Sequence, residues 1–315
     1  MKVSLLWFNQ YFGRRLKIDN VVDLLVHLGF GCDIDNIMNF GEGLEQVYVA
    51  KIEHLSAHPQ DRHLQIATLD VGKDRRQVVT AAKNIKIGDF VFFARPGSKI
   101  KGEEIKEKEF SGVVSEGTFV SEEELGLAEK SAGVIVLDRY HFDPSGKIFT
   151  VRPGKRFSDL FDAEILDLET TAIRSDWLSV LGIAREIARM FNHKIPPLEQ
   201  TREKSQDIGI EVRDFIGCPL YTGRLIKDVK VKDSPFWIKW RLYTHGINPI
   251  NNIVDITNLI MLQFGQPLHA FDYDRLAKHK IIVRKAKKNE IFMTLDGTKL
   301  ELANQLMICD AEKPV

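Results

Sequence analysis

The stretch "NNIVDITNLIMLQFGQPLHAFD", Asn251 to Asp272, carries the residues best suited to chemistry in this chain. Thr257 and Asn258 sit inside an apolar run, and His269 follows beyond Gly265 and Pro267, which turn the chain sharply. A hydroxyl, a carboxamide and an imidazole around so apolar a helix fit two arrangements. One is a set of hydrogen-bonded core groups, the commoner state of buried Asn and His. The other is one wall of a pocket that handles a polar substrate. The residues alone leave both open.

Other candidates are weaker. His58, Asp61 and His63 in "AHPQDRHL" loosely follow metal-ligand spacing, but two imidazoles in a loop rarely hold zinc, and no metal site is expected. Cys32, Cys218 and Cys309 form no C-x-x-C pair. Neither a zinc site nor a disulfide framework follows, and a reducing cytoplasm fits best. "GVVSEGTFVSEEELGL" packs Ser115, Gly117 and Ser121 into a turn-rich bend, read as barrel closure followed by a capping-box-like turn. Phe90, Phe92 and Phe93 offer rings for base stacking, although strand alternation should turn two of them inward. No P-loop, G-x-G-x-x-G, H-E-x-x-H or G-x-S-x-G occurs, so ATP binding, metal-assisted hydrolysis and a serine nucleophile lack support.

The elements that must hold these residues change in character along the chain. At 315 residues, two or three domains are expected. Residues 1–40 read as a strand and a helix, with Asp19 as cap, Val21, Leu24, Leu25 and Leu28 in helical phase, and Gly29 as the stop. From Val47 to about Thr150 short strands dominate ("VYVAKIEHL", "LQIATLDVG", "QVVTAA", "FVFFAR"), which predicts a small Greek-key barrel of the OB-fold kind. The mixed-charge run "KIKGEEIKEKEF" reads as a solvated hairpin. "SDWLSVLGIAREIARMFN" predicts a helix capped by Ser175, with Leu178, Leu181, Ala184, Ile187, Ala188 and Phe191 on one stripe. "KIPPLEQTREKSQD", 194–207, reads as a linker. Beyond it come a strand at "YTGRLIKDVKV" and a helix in "SPFWIKWRLYTHG" with Ser234 as N-cap, Pro235 first and Gly246 last. The helix of the opening stretch follows, expected to bury Val254, Leu259 and Leu262. Then come strands at "KIIVRKA", "EIFMTLDGTKLEL" with a turn at Asp296-Gly297, and "LMICD". Lys+Arg and Asp+Glu both number 44, so any nucleic-acid contact must come from local patches. No run approaches the ~20 apolar residues of a membrane span, and the N-terminus has no signal-peptide core.

Together these stretches resemble the N-terminal portion of bacterial phenylalanyl-tRNA synthetase β subunits. "SLLWFNQYF" is similar to that family's start, and "AHPQDRHLQIATLDVG" and "GVVSEGTFVSEEELGL" to its tRNA-binding barrel. "RSDWLSVLGIAREIA" resembles the helix that resumes its split first domain, and "YTGRLIKDVKV" through "HAFD" its editing domain. Departures stand at Thr118-Phe119-Val120, at Ile173 before Arg174, and at "TAAKN", 80–84. The resemblance implies an α+β multidomain chain. An OB-fold barrel, 45–150, is inserted in a split α/β domain, 1–40 plus 152–195, and an editing domain, 208–315, follows, truncated at its C-terminal side. The family's Gly-rich editing loop and tyrosine-recognising glutamate would lie beyond Val315, so the chain reads as a fragment or truncated product.

The resemblance further implies a cytoplasmic ligase subunit that works with an α subunit, in an α2β2 heterotetramer, and with tRNA, without a membrane. ATP and magnesium serve the whole synthetase, with adenylation on the α subunit and no cofactor in this chain. The barrel's tRNA contacts would fall at His58, Arg62, Ser115, Gly117 and Ser121. Tyrosine differs from phenylalanine by one hydroxyl, which an apolar pocket rejects only about a hundredfold. A second site that hydrolyses Tyr-tRNA would use Thr257, Asn258 and His269, because ester hydrolysis needs a placed water and oxyanion donors rather than a metal. Two alternatives are a stand-alone tRNA-binding protein and a structural subunit whose editing has decayed.

Overall fold

The computed structural model describes residues 1–13, 16–27, 32–131, 133–138, 140–142, 148–161, 163–195, 197, 208–294 and 297–315. Leu28 and Gly29, most of the linker 194–207, and Asp296 of the predicted hairpin turn lie outside these residues. The chain is a mixed α/β protein divided into two compact units, Met1–Pro197 with Val231–Leu268, and Leu198–Lys230 with His269–Val315.

In the first unit, β1 (Lys2–Ser4) runs into α1 (Leu5–Asn9), whose N-terminus Ser4 caps by accepting the Trp7 N–H at 2.9 Å. Next come α2 (Ile18–His27), with Asp19 inside its first turn rather than capping it, and β2 (Cys32–Asn39). The strand Glu164–Thr170 lies between β1 and β2 and pairs antiparallel with both, so the sheet joins segments more than a hundred residues apart. Trp7, Phe8, Leu25, Leu166 and Trp177 share one core with α4 (Val180–Met190). Ser175 opens only a short 3-10 turn; Ser179 caps α4 by accepting the Gly182 N–H at 3.0 Å. Leu178 is therefore outside the helix and 55% exposed, off the predicted stripe.

The barrel sheet has β3 (Val47–Ala57) at its centre, with β4 (Gln65–Asp70) and β5 (Arg75–Thr80) on one side. On the other side lie β6 (Phe90–Ala94) and the short strand Thr118–Phe119. The first half of β3 pairs with β6 and the second half with β4, with a register shift between Ile52 and His54. Sharing one long bent strand between two partners is how a small sheet turns its corner toward closure. The segment before Thr118 reaches β5, where the Glu116 N–H donates to Gln77 O at 2.9 Å, so the sheet is nearly closed. Phe92 and Phe93 are both fully buried, which the strand alternation explains: Phe93 faces the barrel interior with Ile52, Leu69 and Phe119. Phe92 faces outward onto Phe157 of α3 (Phe157–Leu160), at 5.0 Å between ring centroids. The charged run 99–110 forms two-stranded ribbons, Lys99–Ile100 with Glu103–Glu104 and Lys108–Phe110 with Val113–Ser115, whose charged side chains are exposed while Ile100 and Ser115 are buried.

Helix α5 (Phe236–Thr244) is buried on two sides: Phe236 and Trp240 pack on the barrel's outer face, and Ile238 and Leu242 on the core of the split sheet. Pro235 occupies its N-cap position with no side-chain cap, one residue later than predicted, and Gly246 follows its end at φ 81°. Helix α6 (Asn252–Phe264) ends at Gly265, φ 72°, a left-handed conformation that favours glycine.

The second unit holds a three-stranded sheet, Gly209–Val212 parallel to Lys280–Lys285, which pairs antiparallel with Leu306–Cys309. A hairpin, Glu290–Met293 with Lys299–Leu302, lies beside it in sequence. The predicted strand "YTGRLIKDVKV" has no regular structure, and its Ile226 and Val231 are each 70% exposed. Among the described residues no strand pairs with it, and pairing is what makes a strand. Within 208–315, Val231–Leu268 lies in the first compact unit and the remainder in the second.

Candidate functional site

Helix α6 positions Thr257 and Asn258. Asn251 caps it, accepting the N–H groups of Ile253 and Val254 at 3.0 and 3.2 Å. Of the residues predicted to be buried, Leu259 is, whereas Val254 and Leu262 are half-buried. The stripe in phase with Leu259 is completed by two polar residues, Asp255 at 1% and Gln263 at 5% exposure, spaced four apart on one helix face. Asp255 accepts the Ser234 hydroxyl and the Ile250 N–H, the latter at 2.8 Å. Gln263 donates to the Tyr11 hydroxyl at 3.1 Å. These two polar groups were missed in the sequence, although the four-residue spacing from Leu259 was available to find them.

Thr257 is half-buried and donates its hydroxyl to Val254 O at 2.7 Å, one turn back; Asn258 is half-buried. His269 is exposed, its ring lying 4.1 Å from that of Phe271 and tilted by 41°. Thr257 and Asn258 fall in the first compact unit and His269 in the second.

The barrel residues divide differently. His58 is buried: its Nδ1 accepts the N–H groups of Gln60 and Asp61 at 3.2 and 3.0 Å, which leaves the proton on Nε2 for Phe110 O at 2.9 Å. It fixes the 58–61 turn to the hairpin at 108–115. Ser115, 2% exposed, accepts the Val79 N–H at 3.0 Å and donates to Gly117 O at 2.8 Å, latching the barrel edge. Gly117 has φ 145°, and a Cβ there would lie 2.4 Å from Ala94 O. Ser121 and Glu124 make reciprocal bonds, Ser121 N–H to Glu124 Oε2 at 2.6 Å and Glu124 N–H to Ser121 Oγ at 3.2 Å. Only Arg62 of the five is exposed with its charged group available. The 112–127 bend therefore closes the barrel and starts a turn. At the departures from the family pattern, Phe119 and Val120 are core residues, and Ile173 is 80% exposed.

A cleft of about 220 Å³ is lined by Glu122, Leu127, Asp233, Lys239 and Ile250. Lys239 bonds Glu122 at 2.9 Å and Asp233 at 3.5 Å. Burial works against its charge, but the two carboxylates outweigh it and hold its pKa above the ordinary lysine value. None of the predicted site residues lines this cleft. Among the described residues no group of three or more His, Cys, Asp or Glu could hold a metal ion, and no helix is long and apolar enough to cross a membrane.

Comparison with known proteins adds identity to this geometry. Residues 47–141 match the tRNA-binding domain family and residues 217–315 the B3/4 domain family. All of the chain aligns, at 38% identity over 325 residues, with 39% of the phenylalanine--tRNA ligase beta subunit of Syntrophus aciditrophicus. That of Desulfotalea psychrophila is 38% identical over 324 residues, covering all of this chain and 38% of its own length. That of Aquifex aeolicus is 37% identical over 320 residues, covering all of this chain and 40% of its own. The chain thus spans about two fifths of the length of these relatives. A solved MetRS related protein from Pyrococcus horikoshii is 20% identical and covers 35% of this chain and 87% of that one. The TM-score of that match is 0.22.

Proposed function

We propose that this chain, similar along its whole length to phenylalanine--tRNA ligase beta subunits, works as part of such a subunit and contributes tRNA binding and hydrolysis of mischarged Tyr-tRNA. The observation that carries the reading is the alignment of the whole of this chain, at 38% identity, with 39% of a phenylalanine--tRNA ligase beta subunit, supported by the two domain matches in the order barrel, then B3/4. The barrel, taken as an OB-fold spanning 45–150, binds tRNA; it is inserted in a split α/β domain of 1–40 and 152–195. The partner is the α subunit in an α2β2 assembly in the cytoplasm, and adenylation, with its ATP and magnesium, belongs to that subunit.

For the hydrolysis, Thr257, Asn258 and His269 are the proposed groups. An imidazole can take a proton from water, and a carboxamide N–H can bond the oxyanion that forms as water attacks the ester carbonyl. Selecting tyrosine needs a buried polar group that phenylalanine would leave unpaired. The test is His269→Ala in the complete β subunit assembled with its α subunit. Deacylation of Tyr-tRNA should slow by about a hundredfold, with phenylalanine charging unchanged. An unaltered deacylation rate would reduce His269 to a structural residue.

A further inference from the structure

The chain's charges balance overall, 44 against 44, yet one face of the first unit does not. The turn between β4 and β5 and the segment 152–156 meet backbone to backbone. A Cβ on Gly72 would lie 2.9 Å from Pro153 O, and one on Gly154 2.9 Å from Val71 O. Both glycines are in the left-handed region, at φ 91° and 82°. Pro153 followed by Gly154 supplies the two central residues of a type II turn, which sets Arg152 and Lys155 on either side of it. The Val49 N–H holds Lys155 O at 2.8 Å, and Gly154 N–H donates to Val49 O at 2.8 Å, so the segment is fastened to β3.

This seam carries Lys73 on one loop and Arg152, Lys155 and Arg156 on the other, all exposed. Among the described residues none of these four makes an ion pair within 4.0 Å, unlike their arginine neighbours. Arg76 and Arg95 share Asp74 at 2.6 and 2.9 Å, and Arg75 bonds Glu53 at 2.7 Å. Nearby acids are engaged with backbone: Asp70 accepts the Gly72 N–H at 2.8 Å, and Asp159 the Arg156 N–H at 3.2 Å. Four exposed cations without an ion-pair partner among the described residues therefore stand together along this seam.

We infer that Lys73, Arg152, Lys155 and Arg156 form a phosphate-binding ledge for the tRNA backbone. It extends the RNA surface beyond the matched tRNA-binding region, which ends at residue 141. The inference rests on the tRNA-binding reading above. Spaced cations without carboxylate partners release counterions from a polyanion, which gives sequence-independent, salt-sensitive binding. The ledge thus positions the RNA and reads no base.

The experiment uses the full chain and an unmodified phenylalanine tRNA transcript, with affinity measured by fluorescence anisotropy from 50 to 200 mM KCl. Replacing all four cations by alanine should weaken binding about tenfold or more and lower the slope of log K against log salt by about three. Lys287→Ala, Lys288→Ala, Lys299→Ala and Lys313→Ala together remove the same charge elsewhere and should leave both quantities unchanged. Thermal melts of both variants should match that of the unaltered chain, because all eight side chains are exposed. Unchanged affinity in the ledge variant, or equal loss in both variants, overturns the ledge while tRNA binding stands. No measurable binding by the unaltered chain overturns the tRNA reading and the ledge with it.

Discussion

His245 is buried beside Trp7, ring centroids 5.3 Å apart, with Nδ1 bonded to Arg241 O at 2.6 Å and Nε2 without a hydrogen-bond partner among the described residues. Burial, with added repulsion from Arg241 and Lys2, pushes its pKa down from 6.5 to about 4, against the opposing pull of the backbone bond. A depressed histidine pKa means that the unfolded chain takes up a proton before the folded one does. Stability is therefore unaffected above pH 6.5 and falls as pH drops from 6.5 toward 4, by about 3 kcal/mol in all. Urea unfolding at pH 7.5 and 5 should show about 2 kcal/mol of this fall in the natural chain and a smaller one in His245→Leu. Parallel pH profiles for the two would mean that His245 titrates normally. Other residues show what spacing alone reveals. The bend holding Ser115, Gly117 and Ser121 was legible as barrel closure, because serine, glycine and an acid three residues on are turn and cap chemistry. The burial of His58 was not legible, since its Phe110 partner is 52 residues away.

Elements explain why helix existence was readable while helix edges and faces were not. Glycines at 246 and 265 mark two stops correctly, because a left-handed residue is a local demand. Capping at Ser175 and Ser234 failed because both serines had competitors. Ser179 starts α4, and Ser234 donates its hydroxyl to Asp255 instead. The apolar pattern of α6 suggested a helix buried on its Ile and Leu residues, but its most buried stripe runs through Asp255, Leu259 and Gln263. Which stripe is covered depends on α4 and α5, far from α6 in local pattern. Asp255 ties α6 to the entry of α5 through Ser234 and to the α5–α6 connection through the Ile250 N–H. Asp255→Ala leaves both donors without that acceptor and should destabilise the first unit by roughly 2–4 kcal/mol, whereas Ile256→Ala, at a 45% exposed site, should have a much smaller effect. Denaturant midpoints compare the two; equal shifts would show that α6 is held by its apolar face.

At the scale of the whole molecule, burial is unevenly shared between the two units. The three hydrophobic clusters found among the described residues all draw on the first unit. The second unit buries Ile281, Ile282, Val283, Leu302 and Cys309 while leaving Phe215, Ile216, Leu220 and Ile226 between 68% and 97% exposed. Strand pairing without a thick apolar core gives hydrogen bonds that open at low free energy. The sequence showed strands in both regions but not this contrast, because the apolar stretch 281–283 reads as a strand just as "FVFFAR" does, and how thickly either is covered depends on neighbours far away in sequence. Amide hydrogen exchange is the direct measure. Amides in the Lys280–Lys285 strand should exchange at least about a hundredfold faster than those of β3 and β6 at pH 7, following the lower opening free energy of the thinly covered sheet. The tRNA transcript should slow exchange at Lys73 and across 152–156 if the basic ledge engages it, with β3 already too protected to respond. Equal protection in both units would show that the second sheet is held by more than the burial visible in it, and that the contrast in apolar cover does not set local stability.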